Sequence, residues 1–495
     1  MVKDILLYMS DQHAYQLQGY AGNPVVRTPM LDELAAQGTV MTNAMTSCPL
    51  CVPARASMIS GLLPSNNGVL FNFNSLHSDQ ATFLHSLTLS GYETVLCGRM
   101  HFVGPDQRHG YAKRIAGDRT PVFHNGVPDQ GMKAGNAVKG FDENSSVYYM
   151  GGGDSPVLAY DRYVVAKALA HLAGNYDKPQ FLTVGAYGPH FPYVAPKNRY
   201  DYYYDKVTLD GARAVEAEHP VLTGKLCETD PDVVRAARAA YYGLTETTDE
   251  NVATVYRAFR DYVERNGHEG IFIYVSDHGD MNGEKGYYGK QVFYDPSIHI
   301  PFLITGDGIP RGKKIDSPVS LMDLGPTVCE LAGAKVLKGD GKSLLPIITG
   351  GKEDTDRIVV SEQYMYLPEG DTCLGRMVRY QNWKFITYSG FEGHDQLFDC
   401  QNDPSERSNI ISQHPAVASL LKAKTEEYKD YDTIMVHENW VMEQLKILMK
   451  CNYDDEQERW QCPEIPMLED PVARKIPFEP TPWAAALHKK LGGAE

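Results

Sequence analysis

Ile5-Leu6-Leu7-Tyr8-Met9-Ser10-Asp11-Gln12-His13 opens the chain with an apolar run that ends in polar residues. A short run without alternation reads as a parallel strand covered on both faces, here one that delivers Asp11, Gln12 and His13 beyond its carboxyl end. The same arrangement recurs. Residues 94–97 lead into Gly98-Arg99-Met100-His101, residues 181–184 into Gly188-Pro189-His190, and residues 271–275 into Ser276-Asp277-His278-Gly279. An open α/β sheet binds its ligand outside the carboxyl ends of its strands. Four such runs therefore predict an α/β fold with a mostly parallel central sheet and one site fed by several strand ends. Helices are predicted over 29–37, 161–173 and 232–265, where they flank that sheet.

Farther along, the pattern breaks into Gly, Asp and Lys over 339–356, which places a boundary there and makes residues 1–355 the α/β domain. The β-prone runs 377–380 and 383–388 flank Gln381-Asn382, a turn pair, and predict a smaller antiparallel sheet. A helix over 415–428, with Pro415 in its first turn, completes an α+β subdomain over 356–450. Residues 451–495, with Trp460 and Trp483 on a proline-rich stretch, read as an extended tail lying on its own chain or joining subunits of a homo-oligomer.

Charge narrows the partners. With 47 Lys and Arg against 63 Asp and Glu the net charge is −16, which argues against nucleic acid and anionic membrane surfaces. An anionic substrate then needs a local cluster of cations. No apolar run approaches the roughly 18 residues of a membrane span. The run 5–9 is also shorter than a signal peptide's apolar segment, so a cytoplasmic location is expected. The nine cysteines are odd in number and scattered, against a disulfide framework. Cys48 and Cys51 form a C-x-x-C pair that no second pair completes into a zinc site.

The stretch Cys48-Pro49-Leu50-Cys51-Val52-Pro53-Ala54-Arg55-Ala56-Ser57-Met58 carries the chemistry. Cys51 sits where a helix begins, Pro53 fits its first turn, and Arg55 lies four residues on, on the same face as the cysteine. A nucleophile at a helix amino terminus beside a guanidinium stands where anions are stabilised. The segment taken alone also fits a buried cysteine followed by an ordinary amphipathic helix.

Cys51-x-Pro53-x-Arg55 resembles the signature of the type I sulfatases, the formylglycine-dependent members of the alkaline phosphatase-like superfamily. Gly91-Tyr92-Glu93-Thr94 with Gly98-Arg99-Met100-His101 is similar to the family's second signature. Gly188-Pro189-His190 resembles its substrate histidine segment, Ser276-Asp277-His278-Gly279 its second metal segment, and Gly289-Lys290 its lysine segment. Within the family, His101-Phe102-Val103-Gly104-Pro105-Asp106-Gln107 looks closest to choline sulfatases and phosphonate monoester hydrolases. Choline sulfatases are expected to place an acidic residue and an asparagine after Gly68-Val69; here Phe71 stands where the acid is expected, followed by Asn72.

The resemblance implies a sulfuric ester hydrolase acting on a small-molecule or carbohydrate sulfate, with a phosphonate monoester or phosphodiester hydrolase as the alternative. It implies that a maturation enzyme converts Cys51 to formylglycine, whose hydrate is the nucleophile. It also implies one divalent ion held by Asp11, Gln12, Asp277, His278 and the group at position 51; the oxygen-rich set favours calcium, with magnesium and manganese as alternatives. Arg55, Arg99 and Lys290 would neutralise the transferring group, Arg99 standing where the family usually has lysine. His190, helped by Lys290, would protonate the leaving alcohol, and His101 would take a proton from the second hydroxyl so that sulfate departs.

Overall fold

Along the first strand the side chains of Ile5, Leu7 and Met9 enter one apolar layer and those of Leu6 and Tyr8 the other, all fully buried. Strict alternation of side chains in a strand with cover on both faces puts it in the middle of a sheet. The structure, a computed structural model, describes residues 3–120, 149–212, 218–227, 230–367, 372–448 and the backbone of 472–475.

The central sheet is built from β1 (Lys3–Asp11), β2 (Thr39–Met41), β3 (Glu93–Gly98), β4 (Lys113–Ala116), β5 (Gln180–Pro189), β6 (Glu269–Ser276), β7 (Phe302–Gly306) and β8 (Lys313–Ile315). Their spatial order is β8-β2-β7-β6-β1-β5-β3-β4, so β1 lies between the two strands that carry the histidine and second aspartate segments. Both neighbours of β1 run parallel to it, in register Ile5 with Phe181 and Ile5 with Ile271. One strand, β7, runs antiparallel to β6 and β2. The sheet is thus mostly parallel, and the carboxyl ends of β1, β3, β5 and β6 open on one side.

Helices α1 (Pro29–Gln37), α2 (Cys51–Ser60), α3 (Phe83–Leu89), α4 (Pro156–Leu172), α5 (Pro231–Asn266) and α6 (Leu324–Leu331) cover the two faces. Side chains of α2, α3 and α6 join the layer of Ile5 and Leu7, while those of α1, α4 and α5 join that of Leu6 and Tyr8. The helices predicted over 161–173 and 232–265 are α4 and α5, each longer at its amino end, where a proline follows the capping residue.

The second sheet is fully antiparallel, β9 (Ile358–Tyr366), β10 (Thr372–Tyr380), β11 (Trp383–Tyr388) and β12 (Gln396–Asp399) in sequence order. Gln381, at φ 53°, takes the left-handed position of the predicted turn between β10 and β11. Helix α7 (Pro415–Thr425) packs on this sheet as expected, and a second helix, α8 (Tyr431–Leu448), joins it on the residues before Cys51. The second sheet is tied to the segment before β7 by the buried ammonium of Lys384, which bridges the carboxylates of Asp295 and Glu406. No helix among the described residues is long and apolar enough to cross a membrane. Of the predicted tail, residues 472–475 form a strand paired with Tyr149–Gly152 of the same chain, whereas Trp460 and Trp483 lie outside the described residues.

Candidate active site

Position 51 is set by the start of α2. All ten residues of this helix are buried, so it is a central element with no solvent face. Its first turn takes Pro53 without loss, and the Val52 N–H is satisfied by Asn72 Oδ1 at 3.0 Å. Asn72 is therefore spent on the helix terminus. Burial, with the charge of Asp11 beside it, pushes the Cys51 thiol up to about 12, so the unmodified side chain is a thiol at neutral pH and a poor nucleophile.

Strand ends bring four ligand-type groups to that thiol. One ligand atom each from Asp11, Cys51, Asp277 and His278 lies within 4.8 Å of all the others, and all four residues are buried. Cys51 Sγ is 3.1 Å from His278 Nε2 and 3.9 Å from Asp11 Oδ1. His278 Nδ1 lies 3.0 Å from the Gly279 carbonyl, which only accepts, so Nδ1 carries the proton and the Nε2 lone pair faces the cluster. That is the tautomer a metal ligand needs, fixed by its outer hydrogen bond. Burial lowers the pKa of His278, which keeps it neutral.

The two carboxylates are oriented by cations on their far side. Arg55, 1% exposed, donates from Nε to Asp277 Oδ2 at 2.8 Å and from Nη2 to Asp11 Oδ2 at 3.0 Å. Arg99 Nε also donates to Asp11 Oδ2, which leaves Asp11 Oδ1 toward the cluster. Burial alone would raise the pKa of Asp11; the cations around it, Arg99 first and then Arg55 and Lys290, outweigh it and hold the carboxyl well below its usual range. The donors present are two carboxylate oxygens and an imidazole lone pair converging among buried residues, a set that suits a hard divalent cation.

The remaining predicted residues gather around this cluster. Lys290 Nζ donates to His190 Nε2 at 2.7 Å, and His190 Nδ1 lies 2.7 Å from the Phe191 carbonyl. His190 is thus neutral, with its Nε2 lone pair on the lysine; burial first, and Lys290 second, lower its pKa. Gln12 has its carboxamide oxygen on Lys290 Nζ at 2.5 Å and its nitrogen on Asp280 Oδ2 at 2.6 Å, so its side chain holds the lysine in place. Arg99 Nη2 lies 2.9 Å from His101 Nδ1. Because a guanidinium only donates, Nδ1 accepts and neutral His101 carries its proton on Nε2.

Three carboxylates escaped sequence reading. Asp280 accepts from Gln12, from the Tyr193 hydroxyl and from the Asn282 and Gly289 N–H groups; burial raises it to about 6. It lies two residues beyond His278, where the motif itself could have drawn attention to it. Asp161, on α4, accepts from the Tyr187 and Gly188 N–H groups and shapes the chain just before His190. Asp118 contacts Arg99 and the His101 backbone. Neither Asp161 nor Asp118 stands in a motif. Tyr203 is fully buried outside this cluster; its hydroxyl accepts from the Arg27 N–H and donates to Glu246 on α5.

Comparison with known proteins bears on this geometry. A family model described as Sulfatase matches residues 3–334, and one described as N-sulphoglucosamine sulphohydrolase, C-terminal, matches residues 283–432. The chain is similar to the choline-sulfatase of Rhizobium meliloti (strain 1021), 32% identical over 431 residues that cover 82% of each chain. It is also similar to arylsulfatase K of Mus musculus, 28% identical over 465 residues covering 87% of this chain and 80% of the mouse protein. Among solved structures, the phosphonate monoester hydrolase of Agrobacterium radiobacter superposes with a TM-score of 0.69 at 20% identity, covering 86% of this chain and 95% of that one, a likeness of fold.

Proposed function

We propose, for a chain that belongs to the sulfatase family and so hydrolyses sulfuric esters, that hydrolysis takes place at position 51 after Cys51 is oxidised to formylglycine. The observation that carries this reading is the convergence of Asp11, Cys51, Asp277 and His278 within 4.8 Å at the start of a buried helix. Asp11, Asp277 and His278, with the oxygen that replaces the sulfur, would hold a divalent cation, calcium by the oxygen-rich donor set; Gln12, expected as a further ligand, instead has its carboxamide oxygen on Lys290 Nζ. When bound, such an ion supplies positive charge to the ester oxygens and to the nucleophile. The hydrated aldehyde supplies a hydroxyl nucleophile on a carbon that bears a second hydroxyl. A maturation enzyme that recognises Cys51-x-Pro53-x-Arg55 is the partner this requires.

The chain's own residues do the rest. Transfer of a sulfuryl group involves little bonding to either oxygen in the transition state, so positioning and positive charge dominate, as in phosphoryl transfer. Arg55 fixes the two carboxylates, Arg99 fixes Asp11 and His101, and Lys290 places its charge beside His190. The Lys290–His190 pair shares one proton along a 2.7 Å hydrogen bond, and that proton goes through His190 to the departing alcohol oxygen. His101, kept neutral by burial and by Arg99, is the base for the second hydroxyl; its lone pair is on Nδ1, where it accepts from Arg99 Nη2, so taking the proton requires that this hydrogen bond be given up.

A second reading, phosphonate monoester or phosphodiester hydrolysis, draws support from the fold shared with the Agrobacterium radiobacter enzyme. Turnover of nitrophenyl sulfate against a nitrophenyl phosphonate ester by matured protein separates the two. The sulfatase reading expects the sulfate to be the faster substrate; a hundredfold preference for the phosphonate reverses the assignment.

A further inference from the structure

Arg99 stands where the sulfatase signature usually has lysine, and a guanidinium brings a requirement that an ammonium does not. It is a planar fork whose donors work only when its plane and rotation are fixed. In this protein every side of the fork is held. Its face lies on the ring of Tyr187, with the guanidinium carbon 4.3 Å from the ring centroid. Nε donates to Asp11 Oδ2 and Nη2 to His101 Nδ1, so the inner edge spans the candidate metal carboxylate and the candidate base. The outer nitrogen, Nη1, donates to Thr120 Oγ1 at 2.9 Å and reaches Asp118 Oδ1 at 3.4 Å.

Asp118 ties the assembly together. It is fully buried just past the end of β4, outside every motif recognised in the sequence. Oδ1 accepts from the Thr120 N–H at 3.1 Å and from the Thr120 hydroxyl at 2.9 Å. The hydroxyl gives its proton to Asp118, and its oxygen is left to accept from Arg99. Oδ2 accepts from the His101 N–H at 2.8 Å. His101 has φ 55°, the left-handed region that a side-chain-bearing residue adopts only when its surroundings impose it. One carboxylate therefore restrains both the guanidinium that meets His101 Nδ1 and the backbone that aims the imidazole. The guanidiniums of Arg99 and Arg114, with the His101 N–H, hold the Asp118 carboxyl below its usual range despite burial, so it stays ionised.

We propose that Asp118, with Thr120 as its extension, is a positioning residue for the sulfuryl transfer inferred above. On that reading it locks the Arg99 fork and His101 into one geometry, and it is the feature that lets arginine serve where the family uses lysine.

The test uses matured full-length protein and nitrophenyl sulfate, with Asp118→Asn, Thr120→Val and Thr120→Ser in the parent and Asp118→Asn again in an Arg99→Lys background. Asp118→Asn keeps the shape and removes the charge. It should lower kcat about 10- to 100-fold, as outer-sphere substitutions do, while KM stays close to the parent. Thr120→Val should lower kcat in the same sense, and Thr120→Ser, which keeps the hydroxyl, should restore it. With lysine at 99 the outer edge no longer exists, so Asp118→Asn should cost less there than in the parent. Parent-like kcat in both Asp118→Asn and Thr120→Val overturns the proposal, and so does an equal loss from Asp118→Asn in both backgrounds. Should Asp118→Asn fail to fold, Thr120→Val against Thr120→Ser decides.

A readout independent of turnover is the 15N signal of His101, assigned with His101→Gln. The parent should show the Nε2–H tautomer, and Asp118→Asn should show a mixture; an unchanged signal refutes the coupling. A parent inactive on sulfate esters contradicts the function proposed above, and this signal still tests Asp118.

Discussion

Replacing Arg55 by alanine removes the cation shared by two buried carboxylates. Arg55 donates to Asp277 at 2.8 Å, to Asp11 at 3.0 Å and to the Arg99 carbonyl at 3.1 Å, and it is 1% exposed while both partners are fully buried. In Arg55→Ala, Asp11 keeps Arg99, but Asp277 is left with the Gln12 and His278 backbone N–H groups and with His278, which burial keeps neutral. Removing one member of a buried ion pair costs about 3–5 kcal/mol, because the partner's charge stays in low dielectric without compensation. Divided by a urea slope of roughly 3 kcal/mol per M, this lowers the first unfolding midpoint by about 1–1.7 M. The assay is urea denaturation followed by fluorescence, in the presence of a chelator so that only protein groups contribute. Arg55→Lys should fall between parent and alanine, since an ammonium is a point charge where the fork spans both carboxylates. A midpoint for Arg55→Ala within about 0.3 M of the parent, an effect of only ~1 kcal/mol at that slope, would refute the argument that Arg55 holds the carboxylates.

Further outcomes follow from the same geometry. Lys290→Ala should slow alkyl sulfates about 10²- to 10³-fold but nitrophenyl sulfate less than tenfold, because a good leaving group needs no proton; equal losses in a steady-state comparison would contradict the acid role of the Lys290–His190 pair. Asp249 accepts from the Met30 and Leu31 N–H groups at the start of α1, and burial raises it to about 6. A carboxyl raised in the folded state contributes stability that is complete below its unfolded value of about 3.9 and is lost as pH rises through about 6. The stability advantage of the parent over Asp249→Asn should therefore be larger at pH 4 than at pH 7.5 in thermal melts. Gly185→Ala would place a Cβ 1.9 Å from the Arg99 carbonyl oxygen, backbone against backbone where β5 meets the residue after β3; loss of soluble or active protein is expected, and a parent-like variant would contradict this packing.

Much of this architecture is readable in the chain. Apolar runs ending in ionisable residues located β1, β3, β5 and β6, because strands covered on both faces have no solvent side to blur the pattern. The 36-residue α5 kept a clear periodicity for the opposite reason, having one buried and one exposed face. The reversed direction of β7 left no mark, since direction is set by the partner's edge and the length of the preceding connection, not by local composition. The cluster at position 51 was legible through its motifs, and the coordinates bring Asp11, Cys51, Asp277 and His278 together as those motifs imply. The commitment of Gln12 to Lys290 and Asp280 was not legible, because it depends on hydrogen bonds spanning 278 and 268 residues. Asp118 and Asp161 were hidden for the same reason: each acts on backbone N–H groups that any residue could offer.

The central claim is that position 51, once oxidised, supplies the nucleophile. The most direct measurement pairs the mass of the Cys51 peptide with sulfatase turnover in samples produced with and without a formylglycine-generating enzyme. Conversion makes the peptide about 18 Da lighter, and turnover should rise in proportion to the converted fraction and vanish in Cys51→Ala. Full activity in protein whose Cys51 is wholly unconverted, or in Cys51→Ala, would contradict the account.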